Sequence, residues 1–222
     1  MNLLAIDTSF SISSVAISSA GKISSFFRKE VRQSGHILNM IDELLKSVHL
    51  KMSDLHAIAV GVGPGSFTGI RVAVSVAQGL GFATGLPIIP ISSLAVLAQS
   101  AYERHGWSNI ITAIDARMNE VYWALWTVDM NRVRLIGEET ISTPSMIEFP
   151  EESGWCGIGD VWTSYDLQTP SILDTDKWPL AVPMLSLATP LLHQQKWVSA
   201  QAVAPVYLRE MAYPKEKKRI HV

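Results

Sequence analysis

LLAIDTSFSISSVAIS (residues 3–18) returns in outline as ITAIDARMNEVYWALW (residues 111–126). Each copy ends an apolar run on Ala-Ile-Asp, at Asp7 and Asp115, and comes back through a valine, Val15 or Val121. An apolar run that stops at turn formers reads as a buried strand. Each copy is therefore a strand-turn-strand hairpin, and the pair makes an internal repeat with a period of about half the chain. Outward from the first copy, KISSFFRKEV is a third strand, with Gly21 in the turn before it. SGHILNMIDELLKSVHL places Ile37, Ile41, Leu44, Leu45 and Val48 at helical spacing, with Ser34 as N-cap. LHAIAVGVG is a buried strand, SFTGIRVAVSVAQGLGFATG a helix, LPIIPIS a strand and SSLAVLAQSAYERHG a helix closed by Gly106. After the second copy the pattern thins to a strand at RVRLIGEETIS, a short strand at WCGIGD and a helix at MLSLATPLLHQQ. Three strands, helix, strand, helix, then a shorter second round, predict an α/β protein of two similar subdomains, residues 1–106 and 107–222, the second one reduced.

The chain of 222 residues is 48% hydrophobic and 17% charged, enough for a proper core. Its 18 Lys and Arg stand against 20 Asp and Glu. A domain that grips nucleic acid by itself carries a basic excess, so any work on RNA would depend on a partner. Cys156 is the sole cysteine, which excludes an internal disulfide and agrees with a reducing compartment. MNLLAIDTSFS has neither a basic n-region nor a small-residue cleavage site, so no signal peptide is expected. Val72 to Ile91 is uncharged over about the length of a membrane span, but Gly79, Gly81, Gly85, Pro87 and Pro90 interrupt it. A buried helix followed by a strand is expected there.

GVGPGSFTGIR (residues 61–71) looks built for a phosphate. A Walker loop would need Lys after Gly69, and none follows. The dinucleotide pattern G-x-G-x-x-G fails at Ser66 in one register and at Thr68 in the other. What remains is a Gly-Pro-Gly turn feeding a helix capped by Ser66 or Thr68, whose free N–H groups could draw an anion or could simply start the helix.

The order AIDTSFSISSVAI, GVGPGSFTGIRVAVSVAQGLG, AIDARMNEVYWALW and APVYLR resembles the TsaB family, also called YeaZ, over most of the chain. The resemblance implies the actin-like ATPase, sugar kinase and Hsp70 fold, with two subdomains like ribonuclease H. It implies a cytoplasmic, non-catalytic subunit that partners the paralogue TsaD and the ATPase TsaE. Together these install threonylcarbamoyl on the adenosine next to the anticodon of certain tRNAs, and tRNA would be met only within that complex. It further implies homodimer formation, no cofactor required by this chain, and room for ATP or ADP at a subunit junction.

In that fold, phosphates sit between two strand-turn-strand loops. In the first, Asp7 could position a metal-bound water, and Thr8, Ser9 and Ser11 could bond phosphate beside Gly63, Gly65 and Ser66. An Asx turn at a strand end would use the same residues. The second loop offers Arg117, Met118 and Asn119 where small residues are expected, and GIGD at residues 157–160 stands where an adenosine pocket wants two glycines. This half of the clamp reads as eroded. His36, His49, His56, His105, His193 and His221 form no His-x-x-x-His or His-x-His pair, so no metal site is expected, and no G-x-S-x-G elbow marks a hydrolase.

Gly69, Ala73, Ala77 and Gly81 make a small-residue stripe, while Ile70, Val72, Val74, Val76 and Leu80 cover much of the rest of that helix and leave Arg71 on a narrow polar side. In the earlier helix Leu38 and Met40 widen the stripe of Ile37, Ile41, Leu44 and Leu45. The residues alone leave open whether both helices are internal or partly covered by another chain; the resemblance favours a partner surface across these positions. Lys215, Lys217, Lys218 and Arg219 form a basic tail that could touch tRNA backbone or simply lie in solvent. The alternative function is a small ATPase or phosphotransferase of the same fold, resting on Asp7, its hydroxyl neighbours and Asp115.

Overall fold

The computed structural model describes residues 1–29, 36–150, 154–165 and 169–209. Ser34 and the basic tail fall outside them.

The first copy of the repeat is β1 (Leu3–Asp7) and β2 (Ser13–Ser19), followed by β3 (Lys22–Arg28), α1 (His36–Ser47), β4 (Ala57–Gly63), α2 (Phe67–Thr84), β5 (Ile88–Ser92) and α3 (Ser93–His105). The second is β6 (Asn109–Arg117), β7 (Glu120–Asp129), β8 (Arg132–Ser142), β9 (Cys156–Ile158), β10 (Ile172–Asp174) and α4 (Ala181–His193). Two five-stranded sheets result, ordered β3-β2-β1-β4-β5 and β8-β7-β6-β9-β10. In each, the first three strands are antiparallel and the last two run parallel to the first. The repeat is thus carried strand for strand, in an α/β architecture of two five-stranded sheets with the same strand order.

Alternation along β1 divides the core. Leu4 and Ile6 face the outer side, where they pack with Met40, Leu44, Ala73 and Ala77 of α1 and α2. Leu3 and Ala5 face inward, into a layer of α3 and α4 shared with Ile110, Ile114 and Trp126 of the second sheet. Within that layer α4 lies on β1, β2, β4 and β5, whereas α3 lies on β6, β7 and β8. The outer face of the second sheet carries no helix among the described residues. Ile111, Val121 and Trp123 are covered instead by Ile147, Val161 and Trp162 from the connections around β9. The second subdomain is reduced because those connections hold single 3-10 turns where the first holds α1 and α2.

Ser66 is the N-cap of α2, its hydroxyl accepting from the Gly69 N–H at 3.2 Å, and Gly85 closes the helix in the left-handed region. Ser92 and Gly106 do the same for α3. The uncharged stretch from Val72 resolves into most of α2 and all but the end of β5, and among the described residues no helix is long and apolar enough to cross a membrane.

Candidate functional site

A cleft of about 950 Å³ opens between the subdomains. Its walls are the loop after β1, the start of α2, the β6–β7 hairpin, Gly159 and Asp160, the segment before α4, and residues 206–209.

The first loop turns its polar groups inward. Asp7 is fully buried, accepts from the Ser9 N–H at 3.2 Å and from the Ser9 hydroxyl, and does not line the cleft. Burial raises its pKa to about 6 against the two Ser9 bonds that lower it. Thr8 Oγ1 donates to the Gly69 carbonyl at 2.5 Å. Of the hydroxyls in the loop, Ser11 is the exposed one.

Two glycines of residues 61–71, Gly65 and Gly69, serve the same contact. The Ser66 N–H donates to the Ser9 carbonyl at 2.8 Å. A Cβ on Gly65 would meet that carbonyl at 2.6 Å, and one on Gly69 would run into the Thr8 carbonyl. Backbone approaches backbone here, so the small residues sit where α2 rests on residues 8–9. Gly63 likewise lies under the Val206 carbonyl, 2.9 Å from where its Cβ would stand. Gly65 and Gly69 thus pack on the chain's own backbone, while residues 64–69 also line the cleft.

The second loop is held by side chains. Met118 and Asn119 both have positive φ in the two-residue turn joining Arg117 to Glu120, and Met130 and Asn131 repeat the device between β7 and β8. Arg117 is also left-handed, φ 64°, at the end of a register shift that begins at Asp115. A non-glycine residue there costs about 1–2 kcal/mol. The Asp115 carboxylate accepts from the Arg117 N–H at 2.8 Å and from the Tyr165 hydroxyl at 3.1 Å, and pairs with the Arg117 guanidinium at 3.2 Å. Asp160 accepts from the Asp115 N–H at 2.9 Å. Arg209 caps the hairpin from outside, with Nη2 on the carbonyls of Ala116 (3.2 Å) and Arg117 (3.3 Å) and on Glu120.

One cluster escaped sequence reasoning. Asp174, at the end of β10, is buried and meets Arg104 at 2.8 Å and His105 at 2.7 Å. It also accepts from the Asp176 N–H at 2.9 Å and the Trp178 indole at 3.4 Å. Burial pushes its carboxyl up, but the bonds from His105 and Asp176, the Arg104 charge and Trp178 outweigh it, leaving the pKa below the usual range. Arg104 stacks on Trp178 at 3.9 Å, which sets that ring on the cleft wall. Contacts from α3 to β10 span 69 residues, so no local pattern announces them. Among the described residues, no three His, Cys, Asp or Glu side chains gather as a metal site would need.

The helix residues expected at a partner surface divide. Ile37, Met40, Ile41, Leu44 and Leu45 of α1, and Gly69, Ala73 and Ala77 of α2, are buried core. The stripe of small residues is there so that α2 can lie close on its own sheet: a Cβ on Gly81 would stand 2.9 Å from Ile88 Cδ1. This corrects the reading of those positions as interface. Leu38 is 50% exposed, Arg71 is exposed, and Val72, Val76 and Leu80 are half-buried. Phe82, 73% exposed, extends the apolar surface of α2 and was not anticipated.

Residues 31–210 match the family model described as TsaD: tRNA N6-adenosine threonylcarbamoyltransferase. The chain is 38% identical to the tRNA threonylcarbamoyladenosine biosynthesis protein TsaB of Haemophilus influenzae over 225 residues, 94% of each chain. It is 36% identical to TsaB of Escherichia coli over 220 residues, 94% of this chain and 95% of that one. Among solved structures, YeaZ from Pseudomonas aeruginosa superposes with a TM-score of 0.89 at 38% identity, covering 93% of this chain and 99% of that chain.

Proposed function

The chain belongs to the TsaB family, within the wider TsaD-type family that its residues 31–210 match, and on that premise we propose that it is a non-catalytic scaffold subunit of the complex that transfers threonylcarbamoyl to tRNA. The TsaB homologues indicate a role in tRNA threonylcarbamoyladenosine biosynthesis. In this reading the chain binds the TsaD catalytic paralogue and works with the ATPase TsaE in the cytoplasm. It touches tRNA only inside the assembly, and the partner helices belong to the subdomain of residues 1–106. The same face supports self-association as a homodimer when TsaD is absent. Any ATP or ADP would sit at a subunit junction.

One observation carries the proposal: the polar side chains of the first loop other than Ser11 are spent inside the chain. Asp7 is sealed by Ser9, Thr8 is bonded to Gly69, and Gly65 and Gly69 of the next loop fit the carbonyls of residues 8–9. The surface left for TsaD is the strip of Leu38, Val72, Val76, Leu80 and Phe82, which is apolar yet uncovered in the lone chain.

The test is reconstitution. TsaD, TsaE, a threonylcarbamoyl-adenylate synthase, ATP, bicarbonate, threonine and unmodified tRNA are combined with and without this chain, and threonylcarbamoyladenosine is quantified. The expected result is modification that requires the chain and survives Asp7→Asn. Micromolar ATP binding by the isolated chain, lost in Asp7→Ala, would replace the scaffold reading with that of a small ATPase.

A further inference from the structure

Residues 198–209 form a strap. Val198 pairs antiparallel with Ile88 at the edge of β5, with N–O distances of 2.8 and 2.9 Å. Ala200 sits against Gly81, and the Val203 carbonyl accepts from Gln78 Nε2 at 2.9 Å. The Val206 N–H donates to the Val62 carbonyl at 2.8 Å, and the Tyr207 hydroxyl accepts from Arg71 Nε at 2.9 Å. The strap thus follows α2 from its last turns back to its first. Arg71 meanwhile lies over the Phe67 ring at 3.3 Å, so helix start, aromatic ring and strap form one cluster. Two residues later Arg209 grips the β6–β7 hairpin of the other subdomain. Its Nη1 also lies 3.2 Å from Met118 Sδ.

This grip is placed where the hairpin is weakest. Arg117 is held left-handed without being a glycine, and the carbonyls on either side of its peptide, Ala116 and Arg117, are those that Arg209 engages. One guanidinium nitrogen, Nη2, lies against both carbonyls and Glu120, while Nη1 rests on Met118 Sδ. Residues 207–209 therefore join the first turn of α2 to the bulge of the second hairpin across the cleft mouth.

We propose that the strap is a relay between the cleft and the outer face of α2, with Arg209 as its positioning residue. In the clamped state the bulge is held and Tyr207 braces Arg71. In the released state the bulge relaxes, Tyr207 leaves Arg71, and the first turn of α2 loosens. A partner that binds α2 differently in the two states shifts the hairpin, and an occupant of the cleft that shifts the hairpin alters partner binding by the same factor. The link to a partner rests on the scaffold reading above; the relay itself does not.

The test perturbs each end and reads the other, by hydrogen exchange on the full chain. In Arg209→Gln, peptides covering 67–74 should exchange roughly tenfold faster although Arg209 does not touch them. In Arg71→Gln, peptides covering 116–120 should accelerate in turn. Peptides of α4 should stay at wild-type rates in both, which separates release from general unfolding. In Arg117→Gly with Arg209→Gln, the hairpin should regain protection while 67–74 stays fast, since the glycine removes the left-handed cost without restoring the tie. Acceleration confined to the mutated end in both single variants would overturn the relay; if Arg209→Gln does not fold, Arg71→Gln decides alone. With exchange coupled as expected, Arg209→Gln should also weaken TsaD capture at least threefold. Unchanged capture would remove α2 as the partner face and leave the relay standing.

Discussion

Asp7→Asn tests the sealed first loop most directly. Folding moves this carboxyl from 3.8 to about 6, through burial that Ser9 only partly offsets. A group whose pKa is raised on folding lends stability that is full below its unfolded value and lost as pH rises through its folded value. The pH window is therefore about 4 to 6, and the full loss is about 3 kcal/mol at 1.36 kcal/mol per unit. Asparagine has the same shape, accepts from the Ser9 N–H and donates to the Ser9 hydroxyl, and never ionises. The advantage of the variant over wild type should grow from roughly 1 kcal/mol near pH 4.5 to roughly 3 kcal/mol near pH 7.5. Urea unfolding of both proteins at the two pH values measures it, and taking the difference removes the titration of every other carboxylate. An advantage that does not change with pH, or a variant less stable than wild type at the higher pH, would refute the claim that Asp7 is a desolvated charge closed beneath the cleft.

Gly69→Ala drives a methyl into the Thr8 carbonyl and should cost about 3 kcal/mol, whereas Gly79→Ala, with nothing within 4 Å, should gain about 0.5–1 kcal/mol from helix propensity; thermal melts compare them. Asp174→Asn leaves the half-buried Arg104 without its counter-charge and should destabilise by about 1–2 kcal/mol, with loss of the near-ultraviolet signal of Trp178. Wild type should lose this pair's contribution only as pH falls below about 4, through the depressed pKa of Asp174, and Asp174→Asn should not. Ala77→Glu buries a charge in the core and should not fold, while Val76→Glu should fold at a cost of about 1 kcal/mol and fail to capture TsaD in a pull-down.

The hairpins, the helices and the repeat were legible because burial writes them locally, as apolar runs ended by aspartate, glycine or asparagine. What could not be read was what each face meets. Broad apolar helices suggested a missing partner over their whole width, yet most of α2 is covered by its sheet, by α1 and by the strap at Val198–Tyr207, and only the strip of Val72, Val76, Leu80 and Phe82 is left. That cover comes from SAQAVAPVYLR, which has neither helical nor strand periodicity and carries its contacts through single backbone groups. The glycines of residues 61–71 were recognisable as sites of close approach, but nothing nearby in sequence names the approaching group, residues 8–9 of another hairpin. β10 has three residues between irregular segments, too short to show a period, and with it Asp174 and its ring of partners went unseen.

The position of α4 has a consequence for the newborn chain. Leu3, Ala5, Ala57 and Ala59 are made well before the helix that roofs them, residues 181–193. As synthesis runs from the N-terminus, much of the inner face of the first sheet stays open to water until the second sheet has been made. Maturation should therefore come in one late step, and a chain stalled after residue 180 should be sticky and protease-sensitive throughout rather than half finished.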